Sequence, residues 1–169
     1  MSLQRSVNHT SYTLSNNGPL NLNFNPKFPL GTKIKKVLVN GQPTIFTIAN
    51  NAEGVALQLK TNLGKGNTVI SIDHEGGIGA LPIVVMPQPG DISHGARILS
   101  EDLEGNQYKA IIEGRPGSSH IFKLVAYTQP GKVEGALLKA GKENIYTFQV
   151  DLPASGEKYI SKEVRITFK

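Results

Sequence analysis

Apolar and polar residues alternate along most of this chain in short runs, and Gly, Asn, Pro and Asp gather between the runs. A period of two puts successive side chains on opposite faces of an extended strand and excludes a helix. His9 to Ser15 reads as a first strand with Tyr12 and Leu14 on one face, closed by the turn Asn16-Asn17-Gly18-Pro19. Leu20, Leu22 and Phe24 then alternate with Asn21, Asn23 and Asn25. Lys33 to Val39 and Thr44 to Ile48 flank Asn40-Gly41, a hairpin signal because a type I′ turn needs positive φ at both central residues. Val55, Leu57 and Leu59 follow, then Thr68 to His74 with Ile70 and Ile72 on one face.

A second set of runs starts near Ala96. Ile98 and Leu103 precede Tyr108, Ala110 and Ile112, and the turn Glu113-Gly114-Arg115-Pro116-Gly117 leads into Ser119 to Tyr127 with Phe122, Leu124 and Ala126 in phase. A weak strand is predicted over Val133 to Leu138. Tyr146, Phe148, Val150 and Leu152 give the cleanest alternation, and Val164, Ile166 and Phe168 close the chain. Strands at this spacing fit antiparallel sandwiches better than parallel α/β units.

Between the sets the rhythm breaks. Glu75-Gly76-Gly77-Ile78-Gly79-Ala80-Leu81-Pro82 leads into the apolar run Ile83-Val84-Val85-Met86, which Pro87, Pro89 and Gly90 end. Each proline removes a ladder donor, so this stretch does not belong in a central strand. The expected fold is all-β, two antiparallel Ig-like β-sandwich modules packed in tandem. One module spans 4–86, a Pro/Gly junction 87–95 and a second module 96–169. The two sets resemble each other only loosely, without a firm sequence repeat.

Composition narrows this picture. A chain of 169 residues fits one large domain or two small ones with thin cores. With no cysteine, disulfides, thiolate metal sites and cysteine catalysis are excluded. No apolar run of membrane-spanning length is present. The net charge of +5 arises in the first half, partly from Lys33, Lys35 and Lys36. Without an Arg-rich run or an RNA-type aromatic signature, that cluster reads as a solvated strand face, and no nucleic acid is expected. Met1-Ser2-Leu3 reads as an added start with native chain from Gln4, which would make this an excised piece of a longer protein.

The motifs that carry chemistry are few. There is no G-x-S-x-G elbow and no phosphate loop, and His9, His74, His94 and His120 form no metal-binding pair in sequence. No cofactor or metal is expected. Asp73-His74-Glu75 is the densest ionisable triplet. On a strand, residues 73 and 75 share a face, so two carboxylates could flank a sugar as glycoside hydrolysis requires. The plainer reading is a solvated strand end, or a loop that meets a partner domain or a sugar. Sugar sites in sandwich modules stack rings on aromatics, and Trp is absent. Tyr12, Tyr108 and Tyr146 are in phase with apolar neighbours and read as core. Tyr127 and Tyr159, near strand ends, remain as ligand-binding candidates beside Asp73, His74 and Glu75. Asn8-His9-Thr10 is formally a glycosylation triplet, meaningful only in a eukaryotic host.

Two stretches carry a resemblance. Tyr12-Thr13-Leu14 through Asn25-Pro26-Lys27-Phe28-Pro29-Leu30-Gly31 to Val37-Leu38-Val39-Asn40-Gly41-Gln42-Pro43 is similar to a β module near the end of large bacterial polysaccharide-degrading enzymes. Tyr108 to Ile112, Glu113 to Gly117, His120 to Leu124 and Tyr159 to Phe168 resemble C-terminal sandwich domains of glycoside hydrolases from Bacteroides-type bacteria. The matching motifs are turns, so no functional residue carries over. The resemblance implies a secreted or periplasmic location and a non-catalytic accessory role, with the catalytic domain of the parent chain as partner. An oligosaccharide-binding module and a surface adhesion or spacer domain are the alternatives. The surface expected to meet the partner is the apolar stretch containing Ile78, Leu81, Ile83, Val85 and Met86.

Overall fold

The computed structural model describes residues 1–6, 8–51, 54–81 and 95–169. Among them the chain is all-β, built of antiparallel strands with no helix. It divides into two compact units, 1–77 and 78–169.

The first unit holds β1 (Ser2–Arg5), β2 (His9–Asn16), β3 (Leu20–Phe24), β4 (Lys27–Phe28), β5 (Lys33–Val39), β6 (Gln42–Pro43), β7 (Thr47–Asn51), β8 (Gly54–Leu63) and β9 (Gly66–Glu75). One sheet runs β1-β2-β9-β5-β6; in the other, β8 pairs with β3 and β4 and also with β7. Their inner faces meet in a core of Tyr12, Phe28, Val37, Val55, Leu57, Leu59, Ile70 and Ile72. Tyr12 packs edge-on against Phe24 with ring centroids 4.8 Å apart. The Asn40-Gly41 turn forms as predicted, with φ of 51° and 80°. Asn40 is also bonded to β9, donating its N–H to the Val69 carbonyl and accepting the Val69 N–H on Oδ1, each at 2.8 Å.

The strand after that turn is shorter than the expected Thr44–Ile48 run and displaced from it. It covers Gln42–Pro43. Pro43 has no N–H to continue the ladder, and the next strand, β7, starts at Thr47 in the opposite sheet. β1 was not expected at all. Its residues Ser2–Arg5 are exposed throughout and show no apolar alternation, and register with Thr10–Thr13 of β2 places them.

The second unit holds β10 (Ile78–Leu81), β11 (Arg97–Glu104), β12 (Gln107–Gly114), β13 (Ser119–Ala126), β14 (Pro130–Glu134), β15 (Leu137–Lys142), β16 (Ile145–Asp151) and β17 (Ile160–Phe168). Its sheets run β10-β13-β16-β15 and β11-β12-β17-β14. Tyr108, Ala110, Ile112, Phe122, Leu124, Phe148, Val150, Val164, Ile166 and Phe168 are buried from both sheets. Phe122 and Phe148 are cross-strand partners whose rings stack at 5.2 Å. The expected single strand over Val133–Leu138 is two, because Gly135 turns the chain at φ 79°. A side chain there would bring its Cβ within 2.2 Å of the Glu163 carbonyl oxygen, so the bend needs glycine in both conformation and space. The buried Tyr108 hydroxyl donates to Glu101 at 2.7 Å, and Glu101 also accepts the Ala80 N–H at 2.8 Å. One carboxylate thereby ties β10 of one sheet to β11 and β12 of the other. Burial, and then the Glu101 charge, push the Tyr108 phenol far above its ordinary value.

The two units share one strand order. In the first, the hairpin β1-β2 lies beside β9 and then β5, while β3 pairs with β8 of the hairpin β7-β8. In the second, β11-β12 lies beside β17 and then β14, while β13 pairs with β16 of the hairpin β15-β16. The outer edge of β13 carries β10, whereas no described strand covers the outer edge of β3.

Candidate functional site

The alternation of β9 turns Asp73 and Glu75 outward and His74 inward. The two carboxylates share a face, as the sequence predicts, but each is engaged separately. Asp73 Oδ1 lies 2.7 Å from Nδ1 of His9, its register partner on β2. Glu75 Oε1 lies 2.5 Å from Nζ of Lys35. The hydrogen bond from Lys35 holds the Glu75 carboxyl below its ordinary pKa, outweighing the opposing effect of desolvation. Lys36 stands opposite Asp73 in the register of β5. Lys33, Lys35 and Lys36 thus share one solvent-facing ladder with Asp73 and Glu75.

His74 faces the core, 6% exposed. Its Nε2 lies 3.0 Å from the hydroxyl of Thr10, itself fully buried. Its Nδ1 is buried without a hydrogen-bond partner among the described residues. The ring leans on Phe28 at 5.1 Å, and the Arg5 guanidinium sits 5.9 Å over the Phe28 ring. Desolvation, followed by the positive charges of Arg5 and His9, lowers the His74 pKa, and Asp73 opposes them. This environment favours a neutral imidazole that serves as packing.

Tyr127 and Tyr159 do not come together. Tyr159 immediately precedes the end of β17 that pairs with Gly114, next to the start of β13. Tyr127 follows the other end of β13, where Phe168 of β17 pairs with Pro130. Eight residues of strand, about 25 Å, separate these two ends. Tyr159 is 40% exposed, with the Lys158 ammonium 5.8 Å from its ring centroid, and Tyr127 is half-buried.

Of the apolar stretch, Ile78 is the first residue of β10 and is buried, at 7% exposure. Leu81 is half-buried opposite Lys123. Pairing with β13 turns what reads as a glycine-rich loop into an edge strand and takes Ile78 out of any exposed patch. Ile83, Val85 and Met86 lie outside the described residues. Among the described residues, no group of acidic or histidine side chains is arranged to hold a metal ion, and no helix is long and apolar enough to cross a membrane.

The feature that sequence reasoning passed over is the outer face of β3 and β8. A shallow depression of about 460 Å³ is lined by Asn21, Leu22, Asn23, Lys60, Thr61 and Asn62. Asn21 stands opposite Asn62, and Asn23 opposite Lys60. All four side chains are exposed. The signal was present in the repeated Asn at the outward positions of Leu20–Phe24. The pairing with β8, distant in sequence, makes a surface of it.

The site and fold together define a β-sandwich protein with polar outer faces and separately engaged carboxylates. No family model matches the chain, and comparison with curated proteins and with solved structures finds no match in either.

Proposed function

We propose that this chain is a non-catalytic accessory region of a larger secreted polysaccharide-degrading enzyme, packing against its catalytic domain. The resemblance of its turns to C-terminal modules of glycoside hydrolases motivates the reading. The observation that carries it is the fate of the carboxylate pair on β9. A general acid in glycoside hydrolysis needs a carboxyl whose pKa is raised, so that it holds a proton to donate. Lys35 moves Glu75 the other way, and His9 occupies Asp73. A pair engaged separately, one carboxylate by an imidazole and one by a lysine, on a flat strand face has the arrangement of ordinary surface contacts.

The test is a screen of the chain against a panel of polysaccharides, followed by binding to the catalytic domain encoded upstream in the same gene. No hydrolysis, together with a stable complex, is the expected result. Hydrolysis that disappears in Glu75→Gln overturns the reading.

The shared strand order of the two units favours a second reading, a spacer built from repeated sandwich units. The full-length gene separates the two readings. A neighbouring catalytic domain supports the accessory role, and further copies of the unit support the spacer.

A further inference from the structure

We propose that the outer face of β3 and β8 is a binding site for an oligosaccharide, with preference for one carrying uronic acid units. This neither rests on the accessory role nor uses Tyr127 and Tyr159.

The first ground is the choice of residue. Asn is depleted in strands, because its side chain competes for backbone hydrogen bonds and packs poorly on a pleated surface. Yet it occupies both outward positions of β3, Asn21 and Asn23, and recurs at Asn62 of the neighbouring strand. A face kept only for solubility is served by Thr or Lys, which cost the sheet less.

The second ground is availability. The side chains of Asn21, Asn23, Asn62 and Lys60 are exposed and show no hydrogen bond or ion pair among the described residues. Some polar side chains elsewhere on the first unit are committed. Asn16 donates to the carbonyls of Gly18 and Gly64, Thr47 to Gln58, and Lys35 pairs with Glu75. The β3–β8 group is a set of free donors and acceptors around one depression.

The third ground is chemistry. A carboxamide offers an acceptor oxygen and two N–H donors, matching a sugar hydroxyl that both donates and accepts. The Asn21–Asn62 and Asn23–Lys60 rows are two residues apart along the strands, about 7 Å. A ligand meeting both rows needs hydroxyls on more than one ring. No acidic residue lines the depression, and Lys60 supplies its one charge. That charge faces solvent with no carboxylate partner among the described residues, so a uronate on the sugar would pair with it.

An exposed site without aromatic stacking binds weakly, with a Kd of about 1 mM. The test is a titration of the full chain followed by backbone amide NMR. The probes are neutral cello-, xylo-, manno- and galacto-hexasaccharides and an oligogalacturonate. We expect saturable shifts confined to residues 20–24 and 59–63, with the oligogalacturonate binding several-fold tighter than the best neutral sugar. The double variant Asn21→Ala/Asn62→Ala, whose Tm should match the parent because both positions are exposed, weakens binding at least tenfold. Lys60→Gln removes the uronate preference and keeps neutral binding. Absence of saturable shifts with every probe, shifts on another face, or binding unchanged in the double variant overturns the site. Equal affinity for charged and neutral sugars overturns the uronate preference. Each of these outcomes leaves the accessory role to be decided by its own hydrolysis and complex-formation tests.

Discussion

Replacing Thr10 by Val keeps the shape of a fully buried side chain and removes one hydroxyl. That hydroxyl is the partner of His74 Nε2 at 3.0 Å, and Nδ1 of the same ring is already buried without one. Thr10→Val therefore leaves both nitrogens of a buried imidazole unsatisfied, at a cost of about 1–3 kcal/mol. In a unit of this size, each kcal/mol lowers Tm by about 4–8 °C. His74→Leu is also destabilising, since it strands the Thr10 hydroxyl and loses the ring contact with Phe28. In the double variant neither polar group remains, and its cost should fall below the sum of the single costs by about 1 kcal/mol.

The same pair fixes a pH dependence. The folded-state pKa of His74 lies below the ordinary imidazole value of 6.5. As pH falls, the unfolded chain takes up this proton first. The stability contributed by the neutral ring is whole above about pH 6.5 and is lost as pH drops below that toward the lowered folded value. Calorimetric scans of the four proteins between about pH 5 and 8 read both effects, because the acidic side of that slope flattens in His74→Leu. Strictly additive costs, or a slope unchanged in His74→Leu, would refute the argument.

Three further outcomes follow from the second unit. Phe148→Ala removes a fully buried ring stacked on Phe122 and should cost about 3–5 kcal/mol in urea unfolding. Gly135→Ala meets both a positive φ and the Glu163 carbonyl. A tolerated Gly→Ala change stabilises by about 0.4–1 kcal/mol, whereas this one should destabilise by more than about 1 kcal/mol, and a Tm equal to the parent's would contradict the turn geometry. A chain beginning at Ile78 should stay monomeric in sedimentation, whereas one beginning at Ala96 bares the edge of β13 that β10 covers and should self-associate.

Much of the fold was legible because the code for a half-buried strand is local. Tyr146-Thr147-Phe148-Gln149-Val150 announces its own inner face, and Asn40-Gly41 announces its own turn. The losses occurred where a partner, not the segment, decides. Ser2–Arg5 has no alternation and is a strand because β2 pairs with it. Ile78–Leu81, with its glycine, is a strand because β13 lends it a ladder. The common strand order of the two units was invisible for the same reason, since pairings between distant runs leave no trace in either run. At the site, the shared face of Asp73 and Glu75 could be counted off, but their contacts with His9 and Lys35 required tertiary register. The Asn21–Asn62 surface shows the same limit, its two halves lying on strands that only folding brings together.

The position of β10 has a consequence for how the chain is made. Every described strand of the first unit lies before Gly77, so that unit can close as soon as this residue clears the ribosome. β10 is synthesised next, yet the strand it pairs with, β13, begins only at Ser119. During that interval the newly made Ile78–Leu81 segment has no ladder of its own. β10 therefore waits for its ladder until β13 is made, and the second unit closes only once that late pairing forms.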